Sequence, residues 1–451
     1  MGFILIAFFA ASLSGANTAA RPDDWPRWRG PANDGMARSD APVKWSDTEN
    51  IAWKIVIPGK GHSSPVVWGD RLFLTTAIPA AGASQAPRPD GDRTEGKGGR
   101  KGKRGGPGGG MGDGPQVEHE FAVLAYDRRD GKLLWKQVAA KTTPHEGVHR
   151  KYGSFASNTP VTDGKRLYVN FGSRGIYCYD LDGKQIWKRD TLKMRMRNAF
   201  GEGSGAVVEG DTLLFNFDQD GGDSFILALD KNTGAERWKM SRDEVSTWSE
   251  PYVVEHKGAK QVILTGTKKV RSYDLKSGKL IWECAGLGTN PIPVPLRIDD
   301  ILLVMSGHRE PNLLAIRLGQ AGDLTGTAAV LWTNQRGNSY TPSPVLNDGK
   351  MYMLTDNGML SCLDARTGKA HYSQQRLPGS YNFKSSLVGA NGKLYMASEN
   401  EDVLVVKMGE KFEVLATNKM ADQMFIATPA IVGGDIYLRS QEFLYCVREK
   451  K

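Results

Sequence analysis

A short turn motif that ends in an aromatic residue recurs along this chain. It reads YDRRDGKLLW from Tyr126, YDLDGKQIW from Tyr179, LDKNTGAERW from Leu229 and YDLKSGKLIW from Tyr273, and a weaker copy, LDARTGKAHY, begins at Leu363. The Asp can hydrogen-bond the turn backbone and the Gly can adopt a positive φ, so each copy predicts a hairpin. Hairpins repeated at a fixed period indicate a repeat architecture. The residues with this structural role in the four strong copies are Asp127, Gly131, Trp135, Asp180, Gly183, Trp187, Asp230, Gly234, Trp238, Asp274, Gly278 and Trp282.

The segments between the motifs predict four antiparallel strands in each repeat, because apolar residues alternate between turn signals. A four-stranded unit repeated every 40 to 50 residues or so is typical of propeller blades. The last repeat ends at Leu444–Val447 without a fourth strand, and NIAWKIVI, from Asn50 to Ile57, carries Trp53 in the right context to supply it. We therefore predict an all-β, eight-bladed propeller closed by this N-terminal strand.

The predicted organisation is a signal peptide at residues 1–20, an extension at 21–49 and the propeller at 50–451. Phe3–Phe9 is apolar and small residues precede Arg21, so we expect export to the periplasm or cell surface. No later segment reaches transmembrane length. An insertion at about 79–118, rich in Gly, Pro, Lys and Arg, is expected to be disordered. Its basic run, Lys97–Arg104, is a solvated segment or, alternatively, an anion-binding loop.

The four cysteines favour burial over disulfide formation. Cys178, Cys362 and Cys446 occupy the same register of three separated repeats, so they are expected to lie apart as small hydrophobic residues. The formal net charge of +9 favours acidic partners only loosely, and nothing predicts specific nucleic-acid binding. We expect a monomer.

Two motifs suggest metal sites but have simpler interpretations. HEGVH, from His145 to His149, matches the HExxH pattern, yet Pro144 and Gly147 argue against the helix that a zinc protease needs. We interpret it as a loop between blades. DQDGGD offers Asp218, Asp220 and Asp223 as weak calcium candidates, with a polar hairpin turn as the expected structure.

The leading ends of the innermost strands predict a polar rim around the central channel. A polar funnel on a propeller axis is a common ligand site, although the same groups suit a water-filled channel. The candidate rim residues are His62, Ser63, Ser157, Asn158, Glu202, Trp248, Glu250, Thr341 and Lys384. Trp25 and Trp28, in WPRWRGP before the closing strand, are expected to pack on the body of the protein.

The motif, read as xDxxTGKxxW, resembles the tryptophan-docking repeat of pyrroloquinoline quinone (PQQ) dehydrogenases. The chain is most similar to exported PQQ-like propeller proteins common in planctomycetes, on segments such as ASNTPVTDG from Ala156, FGSRGIYCYDLDGKQIW from Phe171 and GEGSGAVV from Gly201. Such proteins are often labelled after the propeller lipoprotein of the outer-membrane barrel assembly machine, which is not an enzyme. The quinone enzymes hold PQQ on the axis between a tryptophan and vicinal cysteines, beside a calcium ion. This chain has no vicinal cysteines, and no residues match the calcium ligands or the catalytic Asp.

The sequence thus favours an exported, non-catalytic binding or scaffold propeller, with envelope proteins or peptides as partners and no cofactor. One alternative is a PQQ- or metal-dependent alcohol or sugar dehydrogenase, with PQQ and calcium as cofactors. The other is a cell-surface protein that binds acidic polymers through Lys97–Arg104.

Overall fold

The structure, a computed structural model, describes residues 23–80 and 117–450. In this part of the chain, eight small antiparallel sheets form the blades of a β-propeller. Two strands precede the first complete blade, β1 (Met36–Ala37) and β2 (Ile51–Val56). Helical structure in these residues consists of two 3-10 turns, Gly172–Arg174 and Arg197–Ala199, and no helix is long and apolar enough to cross a bilayer.

The first four blades follow one another along the chain, each from its innermost to its outermost strand. Blade 1 consists of β3 (Val66–Trp68), β4 (Arg71–Pro79), β5 (His119–Asp127) and β6 (Leu133–Thr142). Blade 2 consists of β7 (Val161–Thr162), β8 (Arg166–Asn170), β9 (Ile176–Asp180) and β10 (Gln185–Arg189). Blade 3 consists of β11 (Val207–Glu209), β12 (Thr212–Phe217), β13 (Ser224–Asp230) and β14 (Glu236–Arg242). Blade 4 consists of β15 (Tyr252–His256), β16 (Ala259–Leu264), β17 (Val270–Asp274) and β18 (Leu280–Cys284).

The remaining blades keep the same order, except that a short extra strand, β22, follows β21 in the chain and β2 supplies the outermost strand of blade 8. Blade 5 consists of β19 (Leu296–Ile298), β20 (Ile301–Ser306), β21 (Asn312–Arg317) and β23 (Val330–Asn334), and β22 (Gly322–Asp323) lies between the last two in sequence. Blade 6 consists of β24 (Val345–Asn347), β25 (Lys350–Leu354), β26 (Met359–Asp364) and β27 (Ala370–Arg376). Blade 7 consists of β28 (Val388–Ala390), β29 (Lys393–Ala397), β30 (Asp402–Lys407) and β31 (Val414–Lys419). Blade 8 consists of β32 (Ala430–Val432), β33 (Asp435–Arg439), β34 (Phe443–Val447) and β2.

The ring closes as the sequence predicts. Strand β2 pairs antiparallel with β34, with Trp53 opposite Cys446, and so becomes the outermost strand of blade 8. The insertion also falls where expected, because β4 and β5 pair along their whole length up to Pro79 and His119. Most of the insertion and the whole signal segment lie outside the described residues.

The Trp of most blades docks onto the motif turn of the next blade, in an arrangement we call the outer circle. Each indole Nε1 donates to a carbonyl of that turn, and the turn Gly lies under the ring, where a methyl group would clash; at Gly234 it would be 2.8 Å from Cε3 of Trp187. The donor–acceptor pairs are Trp53–Arg128 (3.0 Å), Trp135–Leu181 (3.1 Å), Trp187–Lys231 (3.1 Å), Trp238–Leu275 (3.0 Å) and Trp332–Arg366 (2.8 Å).

Trp282 departs from this pattern because blade 5 lacks the Asp-Gly turn. Its indole donates at 3.3 Å to Gln261 in its own blade, and the side chain is completely buried. Blade 5 contacts blade 4 by strand pairing instead, since β22 adds in parallel to β18 with Gly322 opposite Trp282. The four cysteines are buried and unpaired, as the sequence predicts.

Candidate functional site

The axis of the propeller, where the sequence predicts a ligand funnel, contains the N-terminal segment of the chain itself. Trp25 pairs with Val67 of β3, and the carbonyl of Pro26 accepts from Thr162 of β7. Further on, Trp28 donates to Thr428, two residues before β32. Since innermost strands surround the channel of a propeller, a segment that contacts several of them must lie in that channel. We call residues 25–31 the axial segment.

Arg29 holds the axial segment to the far side of the ring. Its guanidinium is 1% exposed and donates to the carbonyls of Leu387, at 2.7 Å, and Pro344, which precede the innermost strands of blades 7 and 6. It also donates to the carbonyl of Asp34 at 3.1 Å. Burial lowers the pKa of Arg29 to about 10, and the nearby carboxyl groups of Asp34 and Glu250 oppose that decrease. The segment is therefore fixed by charge-assisted bonds in the centre of the molecule.

A second set of contacts, which we call the inner circle, joins neighbouring blades around the axis. In five of the blades, the residue two positions before the innermost strand donates its backbone N–H to a side-chain hydroxyl at the same position of the next blade. These bonds are Val294–Ser343 (3.1 Å), Ser343–Ser386 (2.8 Å), Ser386–Thr428 (3.0 Å), Thr428–Ser64 (3.0 Å) and Ser64–Thr159 (2.9 Å). Five contacts thus connect blades 5, 6, 7, 8, 1 and 2 in series.

Glu250 is the exception in the inner circle, because it places a carboxyl where most blades have a hydroxyl. Its Oε1 accepts from the N–H of Gly205 at 3.1 Å, and any side chain at Gly205 would collide with that oxygen. Burial raises the pKa of Glu250 to about 7, while the Gly205 bond and the positive charges of Arg27 and Arg29 lower it. Glu250 therefore belongs to the support of the axial segment, a role that the sequence alone does not reveal.

A loop between blades 1 and 2 covers one end of the central channel, which we call its mouth. We call residues 143–158, between β6 and β7, the mouth loop. Its His149 N–H donates to the carbonyl of Phe200, between blades 2 and 3, at 3.2 Å. Its Lys151 forms an ion pair at 3.1 Å with Glu399 of blade 7, nearly opposite in the ring. The loop therefore crosses the axis, and HEGVH belongs to a loop between blades, as the sequence predicts.

The remaining predicted rim residues do not form one continuous rim. Lys384 and Thr341 lie together, since both contact Asp356, at 2.8 and 2.7 Å, and the Lys384 ammonium stands 4.8 Å from the ring centre of Tyr152. Trp248 lies on the other side and donates to Gly201 at 2.8 Å. These residues thus come from blades 4, 6 and 7, and Lys384 contacts the mouth loop through Tyr152.

A second group of rim residues surrounds small cavities between blades 2 and 3. Each has a volume of about 10 Å³, room for roughly one water molecule. Asn158 and Glu202 line both of them, and Ser157 lines the one nearer the mouth loop. The carboxylate of Glu202 forms an ion pair with Arg174 at 2.8 Å and accepts a hydrogen bond from Ser173. The side-chain oxygen of Asn158, in contrast, is buried without a hydrogen-bond partner. These cavities suit ordered water rather than a cofactor.

His62 and Ser63 lie at the seam between blades 8 and 1. Ser63 accepts from the buried guanidinium of Arg439, through both its carbonyl and its hydroxyl. Both ring nitrogens of His62 are buried, and a bond to the backbone of Tyr152 in the mouth loop favours the protonated ring. Burial, followed by the charges of Lys60 and Arg439, lowers the pKa of His62 to about 3, so the ring is neutral at physiological pH.

The weak calcium candidates do not converge on a common point. Asp218 is completely buried and forms an ion pair with Arg242 at 2.8 Å. Asp220 accepts from the backbone of Ser246, while Asp223 is exposed. Throughout residues 23–80 and 117–450, no group of three or more His, Cys, Asp or Glu side chains is arranged to hold a metal ion. The basic run Lys97–Arg104 lies outside these ranges, so the anion-binding interpretation stays a prediction.

Comparison with known proteins places the chain in a family. The family model described as outer membrane protein assembly factor BamB matches residues 119–374, more than half of the chain. The BamB protein of Yersinia pestis is 21% identical over 294 residues, which cover 64% of this chain and 60% of that protein. The match is thus under two thirds of the relative's length.

Solved structures share the fold at low identity. BamB from Moraxella catarrhalis superposes with a TM-score of 0.51 and 12% identity, covering 73% of this chain and 89% of that one. The quinohemoprotein alcohol dehydrogenase of Comamonas testosteroni superposes with a TM-score of 0.60 and 12% identity, covering 97% and 82%. Both likenesses show the propeller fold alone. The match to the family model shows more: this chain belongs to the PQQ-like propeller family described as outer membrane protein assembly factor BamB.

Proposed function

We propose that this protein is a non-catalytic binding propeller of the cell envelope that takes part in the assembly of outer-membrane proteins. Membership of a family named for that process supports the assignment, as do relatives that carry the same name. We place the protein outside the cytoplasm, on the periplasmic side of the envelope. The observation that carries the proposal is the axial segment, which occupies the centre of the propeller.

The filled axis argues against quinone chemistry in this chain. The dehydrogenases that it resembles hold PQQ on the axis, but here Trp25 and Arg29 fill that position with buried side chains. Their bonds to β3 and to the carbonyls before β24 and β28 would have to break to admit a cofactor. The cysteines lie in separate strands, so they cannot form the vicinal pair. The residues of this channel therefore do not fit PQQ.

With the axis filled, the outer edges of the blades offer another surface for a partner. Strand β6 of blade 1 is ten residues long and forms an outer edge. Leu133, Leu134 and Val138 on this strand are 54%, 46% and 45% exposed. An open edge with apolar side chains can pair with an extended segment of another protein. We assign β6 as the contact for an apolar segment of an envelope protein.

A capture experiment tests the proposal. The full-length protein, tagged and expressed in its own cell envelope, should retain outer-membrane assembly components that mass spectrometry identifies. Leu134→Glu combined with Val138→Glu should reduce that retention at least about tenfold, since charge would be buried in an apolar contact. Ile186→Glu is the matched control, because Ile186 is 42% exposed on the outer strand of blade 2. Equal losses in both variants would exclude β6 as the contact.

A second measurement separates binding from catalysis. Purified protein is incubated with PQQ and Ca²⁺, and dye-linked oxidation of alcohols and sugars is followed together with the melting temperature. We expect neither turnover nor a thermal shift. Turnover that depends on PQQ would overturn the non-catalytic assignment, whatever the capture experiment shows.

A further inference from the structure

The cavity nearer the mouth loop contains a buried oxygen that no donor satisfies. Glu146, Ser157 and Asn158 of the mouth loop line this cavity, together with Glu202, which precedes β11. Asn158 is 7% exposed, and its Nδ2 donates to the carbonyl of Asn170 at 3.1 Å, which fixes the orientation of the amide. Its Oδ1 has no hydrogen-bond partner. A buried acceptor of this kind normally meets a donor or a cation, so the cavity points to a ligand.

The two hydroxyl groups that line the same cavity have no proton left to offer. Ser157 Oγ donates to the carbonyl of Ser154 at 3.0 Å, and the two hydroxyl oxygens lie 2.9 Å apart. Since each hydroxyl carries one proton, that of Ser154 is used in its bond to Ser157. Both oxygens therefore present only lone pairs to the cavity, as Asn158 Oδ1 does.

The cavity lining also carries one carboxylate more than it has cationic groups. Arg174 lines the cavity and pairs with Glu202 at 2.8 Å, and these side chains are 7% and 9% exposed. Glu146 accepts from the N–H of Met196 at 3.0 Å, and no Lys, Arg or His of the described residues forms an ion pair with it. A water molecule would satisfy Asn158 but would leave the charge of Glu146 uncompensated, which is costly for a partly buried carboxylate.

We propose that this cavity binds a single alkali-metal cation, Na⁺ or K⁺, through oxygens of Glu146, Ser157 and Asn158. Its volume of about 10 Å³ admits one particle of about the size of a water molecule, as these ions are. Protein oxygens can replace the hydration shell of such an ion. All three residues belong to the mouth loop, so the ion would hold that loop in its fold over the axis. The site is separate from β6 and does not depend on the envelope-assembly proposal.

Thermal unfolding of the full-length protein in NaCl, KCl and choline chloride at equal ionic strength gives the first test. Choline is too large for the cavity, so its chloride salt provides the reference without a bound cation. At ten times its dissociation constant, the preferred ion should raise the melting temperature by about 2 °C or more, because it binds the folded state alone. Equal melting temperatures in the three salts would overturn the proposal.

A pair of variants separates binding at this cavity from a general effect of salt. Glu146→Gln keeps an acceptor for the Met196 N–H but removes the charge, so its melting temperature should lose most of the dependence on Na⁺ or K⁺. Glu236→Gln is the matched control, because it removes one exposed carboxylate on β14, where Glu236 pairs with Arg189 at 2.9 Å. The control should keep the dependence of the wild type. Equal dependence in the two variants would contradict the assignment of the site.

A crystal of the wild type grown with RbCl locates the ion without any variant. Rubidium can replace K⁺ and gives an anomalous signal, which water does not. We expect an anomalous peak in the cavity, within bonding distance of Asn158 Oδ1. An ordered water molecule only, with no anomalous peak in the cavity, would overturn the proposal.

Discussion

The outer and inner circles join the same blades by different chemistry. In the outer circle a large apolar ring covers a Gly turn, as Trp187 covers Gly234, and one hydrogen bond fixes its position. In the inner circle small hydroxyls such as that of Ser386 accept single backbone bonds, and Arg29 crosses the space that they enclose. The outer circle is therefore local to each pair of blades, whereas the inner circle depends on one segment shared by most of them.

The largest effect should follow from removing the shared element. Arg29→Met leaves the carbonyls of Leu387 and Pro344 unpaired in the centre of the molecule, and Glu250 loses a nearby positive charge. We expect a loss of about 2–5 kcal/mol in the free energy of unfolding, because two buried carbonyls lose the donor that satisfied them. Urea unfolding of Arg29→Met measures it.

Arg129→Met is the control for that substitution. Arg129 belongs to an outer-circle turn, where its side chain is 69% exposed beside Asp127, and an exposed pair contributes about 0–1 kcal/mol. Similar losses in the two variants would show that the axial segment adds nothing special to stability.

The second prediction concerns how Glu250, in the inner circle, makes the stability of the fold depend on pH. Its pKa of about 7 lies above the ordinary value of 4.5, so the folded state binds a proton that the unfolded state releases between these values. The stability from this group is complete below pH 4.5 and is lost as the pH rises through 7. From pH 5 to pH 8 the wild type should therefore lose stability on the order of 2–3 kcal/mol relative to Glu250→Gln.

Comparing the two proteins by urea unfolding at each pH isolates Glu250 from other groups. His62 acts in the opposite direction, because its pKa is lowered to about 3 and its contribution falls as the pH drops below 6.5. His62 is common to both proteins and cancels in the difference. A difference that does not change with pH would contradict the assignment of Glu250.

The two circles also differ in how far the sequence predicts them. The outer circle repeats, so the blade number, the closing role of Trp53 and the insertion between β4 and β5 could all be predicted from spacing. The axial segment occurs once and has no period, and its contacts to Leu387 and Pro344 join residues more than 300 positions apart. The available signal was indirect: Gly205 stands where the other blades of the inner circle carry larger side chains.

The third prediction tests whether the outer circle depends on contact between Trp and Gly. Gly234 and Gly258 both have positive φ, of 72° and 79°, but only Gly234 lies against a tryptophan; a methyl at Gly258 would meet nothing within 4 Å. Ala at either site carries the same backbone strain. Gly234→Ala should be less stable than Gly258→Ala by roughly 2 kcal/mol, the cost of displacing Trp187. Thermal unfolding of both variants measures the difference, and equal melting temperatures would contradict the docking role.

The fourth prediction, with the smallest expected effect, compares the loss of a single hydroxyl in each of the two circles. Ser386→Ala removes the acceptor of the Ser343 N–H and leaves that buried donor unpaired, at a cost of about 1 kcal/mol. Ser277→Ala removes a hydroxyl that bonds Asp274 in an exposed turn, where water replaces it. Its cost should be a few tenths of a kcal/mol. Hydrogen exchange at the Ser343 amide should become faster in Ser386→Ala alone, because the inner circle opens there while the outer circle stays intact. Unchanged protection of the Ser343 amide would mean that the axial segment, and not the hydroxyls, holds the blades together at the axis.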